Sequence, residues 1–333
     1  IIIIIIIIII IIIIIIIISI IIIIFLFFDV LAGVLQGDTL APFLFILALD
    51  YILRTSVETL SSLGFTLEKA RSRRYPAKKI TDADYADDLA LFSDKINHAE
   101  KLLHALEYAS AGIGLYVNAK KTEYVCYNQD GEIKCLNGTI LKEVENFTYL
   151  GSNISSTKKD VMIRIAKAWS ALNRLRTIWK SSLPDNLKRN FFRAVVESVL
   201  IYGSTSWTLT KQLEDKLDGT YTRMLRAILN KSWKQHPTND QLYGHIPKIS
   251  NIIKERRTRF AGHCWRSKNE LASDLLLWFP KHGYTEVGRP CKTYIKQLAL
   301  DTGLQTEDLK NAMEDRNVWR ERVNMVRAIR PIR

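Results

Sequence analysis

The sequence predicts an α/β (α+β) chain with an antiparallel sheet in its first half and mostly helices in its second. Three observations carry this. Short apolar runs bounded by glycine and turn residues continue to about residue 155. From Asp160 onward the apolar positions recur at helical spacing instead. The charge also changes there: residues 1–157 hold 13 Lys/Arg against 17 Asp/Glu, whereas residues 158–333 hold 34 against 17. The basic excess of the chain, +13 overall, therefore lies wholly in the C-terminal half, where a surplus of that size attracts a polyanion such as nucleic acid.

Residues 1–24 are isoleucine except for Ser19. The tract is long enough to cross a bilayer but has no basic start, cleavage site or aromatic belt, so it reads as a translated repeat. A membrane anchor follows only if the tract is real. Four cysteines without a CxxC pair suggest a reduced protein, expected inside the cell in cytoplasm and nucleus.

Val30–Leu35 reads as a short strand and Gln36-Gly37-Asp38-Thr39 as a turn. Pro42 suits the first turn of a helix running to about Ser62, stopped by Gly64. Residues 68–79, with Arg71, Arg73, Arg74, Lys78 and Lys79, form a basic loop. Ile80–Phe92 is two short runs meeting at Ala86-Asp87-Asp88. An amphipathic helix follows at about 95–111, with Leu102, Leu103, Leu106 and Ala109 on one face. Tyr116–Tyr127 and Phe147–Ile154 are strand-like, and helices are expected at about 160–180, 185–201, 211–230 and 250–266.

The chemistry centres on Tyr85-Ala86-Asp87-Asp88. Two adjacent acids at the tip of an apolar hairpin lose hydration and repel each other, which is costly unless a cation sits there. Carboxylate oxygens beside a phosphate suit Mg²⁺. Successive strand residues face opposite ways, so one aspartate should be the main ligand and the other secondary, with Asp82 and Asp84 adding negative charge. Taken alone, the pair reads as an ordinary turn, since Asp is a favoured turn residue.

The surroundings decide. ITDADYADDLALFSD resembles motif C of reverse transcriptases, and AGVLQGDTLAPFLFILALDYILR upstream resembles motif B. GLYVNAKKTEYV and FTYLGSNIS resemble motifs D and E. Four motifs in order resemble the non-LTR (LINE-like) retrotransposon polymerases, from residue 30 to about 330. The resemblance implies three regions: the isoleucine tract at 1–24, a partial polymerase palm at 25–155 and a basic helical thumb and C-terminal region at 156–333. It also implies RNA-directed DNA synthesis, with an RNA template, a DNA primer and deoxynucleoside triphosphates as partners. Asp87 would bind two Mg²⁺ ions and Asp88 would support it. Tyr85 and Ala86 would lie against the primer end, and Gln36 and Gly37 beside the incoming nucleotide. Lys121, or else Lys120, would assist pyrophosphate departure; alternatively it is a solvated strand end.

One expectation runs against activity. The family supplies a further shared carboxylate from motif A, well before motif B. Here Asp29 is the sole acid before Asp38 and lies too near Gln36 to sit on a separate strand. The chain is thus expected to be truncated at its N-terminus, with one ligand of the two-ion site missing, and inactive alone. The rival readings are a non-catalytic nucleic-acid-binding remnant and a membrane-anchored basic protein.

In the basic half, Lys167, Arg174 and Arg176 share a predicted helix with Trp169 and Trp179, and are the candidate phosphate contacts. The tryptophans are read as core rather than as base-stacking platforms. Lys254, Arg256, Arg257, Arg259 and Arg266 form a second basic cluster. His263, Cys264, His282 and Cys291 lack a zinc-knuckle spacing.

Overall fold

A computed structural model of the chain describes residues 37–268, 270–278 and 293–328. The isoleucine tract, the Val30–Leu35 strand, Asp29, Gln36, His282 and Cys291 lie outside the described residues. Two compact units divide between Lys142 and Glu143.

In the first unit, α1 (Ala41–Thr55) starts with Pro42 in its first turn, where a missing N–H costs nothing. It ends at Thr55, earlier than expected, because the Ser56 and Thr55 hydroxyls donate back to the Ile52 carbonyl. A 3₁₀ turn at Glu58–Leu63 covers the rest of the predicted helix.

The basic loop is in fact a ribbon. β1 (Phe65–Glu68) pairs antiparallel with β2 (Lys78–Ile80), and a Ser72–Tyr75 bridge orders its tip. Gly64 lets this ribbon approach closely: a Cβ there would stand 2.6 Å from the Ile80 carbonyl oxygen. β3 (Asp82–Tyr85) and β4 (Asp88–Leu91) form the next hairpin. α2 (Ile96–Ala111) buries Leu102, Leu103 and Leu106 as its periodicity predicts. Leu102 and Leu106 pack with Ile52, Leu53 and Val57 of the first helical segment, and Leu89 and Leu91 of β4 join this core. Only β5 (Glu123–Tyr124) remains of the expected Tyr116–Tyr127 strand. The palm-like strands form short antiparallel pairs among the described residues rather than one wide sheet.

The second unit opens with a hairpin, β6 (Thr148–Tyr149) and β7 (Ser152–Asn153), turned by Leu150 and Gly151. Both turn residues have positive φ, 47° and 76°, as a primed hairpin turn requires. The hairpin is tied to the helices that follow. The buried Asp160 carboxylate accepts from the Asn153 N–H at 3.0 Å and from the Trp207 indole at 2.7 Å. Arg164 donates to the Gly151 carbonyl and stacks 4.2 Å from the Tyr202 ring centroid.

The predicted 160–180 helix is two: α3 (Thr157–Arg174), capped by Ser156, and α4 (Arg176–Lys180), with the break at Leu175. α5 (Asp185–Phe191) runs through a π-helical segment, Phe192–Glu197, into α6 (Ser198–Leu200). α7 (Lys211–Ile228) buries Leu213, Leu217, Tyr221, Met224, Leu225 and Ile228 along one stripe. After α8 (Asn239–Tyr243) comes α9 (Ile249–Arg266), then α10 (Leu271–Leu276), α11 (Tyr294–Thr302), α12 (Thr306–Glu314) and α13 (Arg316–Ala328). A large core of α3–α9 includes Trp179 and Trp207, while Ala261, Leu298, Leu309, Met313 and Trp319 make a second.

No helix of the described residues is long and apolar enough to cross a membrane.

Candidate functional site

The β3–β4 register pairs Tyr85 with Asp88, leaving Ala86 and Asp87 as a two-residue turn. Ala86 takes φ 54°, a value that costs any residue with a Cβ on the order of 1 kcal/mol. Opposed residues of an antiparallel pair share a face. Tyr85, Asp88, Ala83 and Ala90 therefore lie on one side of the hairpin. Asp82, Asp84, Leu89 and Leu91 lie on the other, where the leucines enter the core.

Tyr85, Ala86, Asp87 and Asp88 are all exposed. The hydration penalty expected for acids on an apolar hairpin therefore does not arise: the leucines that make the run apolar are turned inward, and the carboxylates stand in water. Asp82 and Asp84 contribute charge from the opposite face, not beside Asp88. Asp87 and Asp88 do offer hard oxygen ligands, which suit a Mg²⁺ ion. They are too few for a pair of ions, and the described residues contain no group of three or more metal-ligating side chains. The donor set fits one loosely held ion.

The other predicted residues lie on separate elements. Gly37 sits in a turn before α1 with φ 94°, a conformation that suits glycine. Lys120 and Lys121 are exposed on a turn before β5, where the Lys121 N–H donates to the Asn118 carbonyl at 2.9 Å. In the second unit Lys167, Arg174 and Arg176 are exposed, as phosphate contacts must be. Trp179 is 3% exposed and Trp169 packs against the same core.

The second basic cluster divides. Arg257 is a core residue, fully buried and ion-paired with Asp301, so it cannot touch phosphate. Arg266 is spent on the Met313 carbonyl at 2.9 Å. Arg256 and Arg259 remain exposed. His263 is exposed while Cys264 is buried, and burial raises its thiol pKa. The two do not form a ligand pair with any third described residue.

Sequence reasoning missed a trench of about 1180 Å³ in the second unit, built by the π-helical segment, α8 with the 244–248 loop, α9 and α13. Its members are far apart in sequence, and only the π segment, common at functional sites, could have hinted at it, had it been legible. Glu197 lies in this trench, buried, and accepts from the Tyr221 hydroxyl. Burial raises its carboxyl pKa against the opposing pull of Tyr221, Arg193 and Arg256. Below the ordinary carboxylate range Glu197 is neutral both folded and unfolded, and its contribution to stability is present in full. As pH rises through the raised folded value, that contribution is lost. Glu197→Gln should therefore gain stability relative to the parent progressively from acid to neutral pH. Urea unfolding of both proteins between pH 4 and 7.5 checks this, and a difference independent of pH would refute it.

A two-stranded hairpin with paired acids at its tip, backed by helices, is the arrangement of a nucleic-acid polymerase palm. Residues 27–154 match the family model described as reverse transcriptase (RNA-dependent DNA polymerase), and this part of the chain is a reverse transcriptase domain. The chain is also similar to an uncharacterised transposon-derived protein of Caenorhabditis elegans. The two are 26% identical over 231 residues, which cover 65% of this chain and 83% of that protein. By family resemblance the activity is RNA-directed DNA polymerisation, and the family uses Mg²⁺.

Proposed function

We propose that the chain is a retrotransposon nucleotidyltransferase of non-LTR kind whose hairpin tip holds Mg²⁺ through Asp87, with Asp88 in support. The exposed tip, with Asp87 in the two-residue turn and Asp88 next to it at the start of β4, is the observation that supports this reading. A primer end would lie on the Tyr85 and Ala86 side, with Gln36 and Gly37 beside the incoming deoxynucleotide. Gly37 permits close approach of backbone to ligand. The primer 3′-hydroxyl, giving up its proton to solvent, forms a bond to the α-phosphorus as the bond to pyrophosphate breaks, and the leaving pyrophosphate takes a proton for which Lys121 is the candidate donor. Magnesium, when bound, neutralises charge on the phosphate oxygens. Lys167, Arg174 and Arg176 would contact template–primer phosphates without reading sequence. The setting is intracellular, in cytoplasm and nucleus.

With two carboxylates where the reaction needs a further shared ligand, the 333-residue chain should bind template–primer yet extend no primer. The test is extension of a DNA primer on an RNA template with the four deoxynucleotides and Mg²⁺, beside Asp87→Asn. Extension above the Asp87→Asn background overturns the expectation of inactivity. Absence of any template–primer binding overturns the polymerase reading itself. A non-catalytic nucleic-acid-binding role is favoured by one observation, the open, two-ligand tip.

A further inference from the structure

We propose that the trench of the second unit is a binding site for single-stranded nucleic acid, with Phe260 as a stacking platform for an unpaired base. This goes beyond the palm, since the family match stops at residue 154. It rests on the polymerase reading only in naming nucleic acid as the polyanion.

The floor is α9, where Arg256 and Phe260 lie one turn apart, as do Arg259 and His263 on the neighbouring ridge. Three helical residues rise about 4.5 Å, so Arg256 and Arg259 set two guanidinium-bearing positions within reach of neighbouring phosphates of one backbone. Arg193 stands on the π-helical wall, Lys248 on the loop and Arg327 on α13.

Five cationic side chains face three carboxylates here, and two of those carboxylates are already engaged. Glu255 holds Arg259 at 2.7 Å and Arg327 at 3.9 Å, and Glu197 accepts from Tyr221 with Arg193 at 3.8 Å. The field inside is positive. Those ion pairs also hold the arginines over the trench rather than leaving them to sample solvent.

Phe260 is 45% exposed amid these charges. The exposed part of this ring lies among cations, and base–aromatic stacking beside arginines is the usual device for gripping a single strand. A duplex keeps its bases stacked on one another and offers none to the ring. A concave site of this volume, walled on both sides, also admits one strand more readily than a cylinder with two backbones.

The test uses the full chain and fluorescence anisotropy with three labelled probes: a uridine decamer, a thymidine decamer and a ten-base-pair DNA duplex, across a salt series. Both single strands should bind more tightly than the duplex, and comparable RNA and DNA affinities would mark stacking and charge as the determinants. Phe260→Ala should weaken single-strand binding about tenfold with the duplex unchanged. Arg256→Ala with Arg259→Ala should reduce the slope of log affinity against log salt by about 1.4 for the single strands, two phosphate contacts' worth. The Arg→Lys pair should restore it.

These side chains are exposed, so equal melting temperatures will verify the fold of each variant. Asp87→Asn should bind single strands like the parent, which separates failure of this inference from failure of the polymerase reading. Unchanged affinity and slope in both trench variants, equal binding of the duplex, or binding of anionic vesicles in place of either decamer would overturn the proposal.

Discussion

Asp301→Ala should destabilise the C-terminal unit by about 3–5 kcal/mol, enough to unfold much of it if its stability is ordinary for a domain. Arg257 and Asp301 are ion-paired with side chains 0% and 1% exposed. Asp301 also accepts from the Gln297 amide at 2.9 Å. Removing the carboxylate strands a guanidinium whose Nε and one Nη already have no partner among the described residues. The neighbouring Gln297 amide and Tyr294 hydroxyl are neutral and cannot replace the lost charge, so the helix carrying Arg257 must shift to hydrate it. Replacing both members, Arg257→Met with Asp301→Leu, should recover most of the loss, because the desolvation cost goes with the pair. Urea unfolding followed by far-UV circular dichroism measures both. A single variant within 1 kcal/mol of the parent would mean that the pair is hydrated in solution.

The next largest effect is expected at a glycine. Gly262 sits inside α9, where helix propensity alone favours alanine. A Cβ there would lie 2.2 Å from two atoms of the Trp319 ring, which is 2% exposed and donates its indole N–H to the Thr258 carbonyl at 2.8 Å. Neither helix can yield without moving the ring. Gly262→Ala should cost about 1–3 kcal/mol from overpacking, with up to a further ~1 kcal/mol if the indole bond breaks. Gly219, inside α7, has nothing within 4 Å of its would-be Cβ, and Gly219→Ala should instead stabilise by about 0.5–1 kcal/mol. The two variants differ by the same methyl group, so thermal unfolding that gave them the same sign would contradict the packing seen around Trp319.

How much of this was readable from the residues depends on whether the deciding interaction is local. The acidic hairpin was legible because its turn, its apolar pairs and its register lie within ten consecutive residues. α2 was legible because one stripe of leucines carries its burial. The tryptophans were correctly placed in the core by their spacing. The β1–β2 ribbon was not legible: residues 69–77 have no alternating apolar pattern, and the pairing is fixed by Gly64 against the Ile80 carbonyl. The hydration of Asp87 and Asp88 depended on which way Leu89 and Leu91 turned, which is a tertiary choice.

The basic clusters teach the same lesson from the other side. Arg256, Arg257 and Arg259 look alike in sequence, yet one is a core ion pair and two face the trench. The partner that claims Arg257 is 44 residues away. No local pattern announces it.

The knot around Asp160 bears on where the helical half can be cut free. Its carboxylate is shared between a strand residue ahead of α3 and an indole well after it, and Arg164 and Tyr202 both reach back to the Leu150–Gly151 turn. A recombinant piece beginning at Thr157, which the change of sequence pattern invites, would keep the Trp207 bond but sever the ties to Asn153, Leu150 and Gly151, leaving a buried acid half satisfied. Starting at Glu143 retains all of them, so the shorter piece should be the less soluble of the two despite carrying fewer exposed apolar strands.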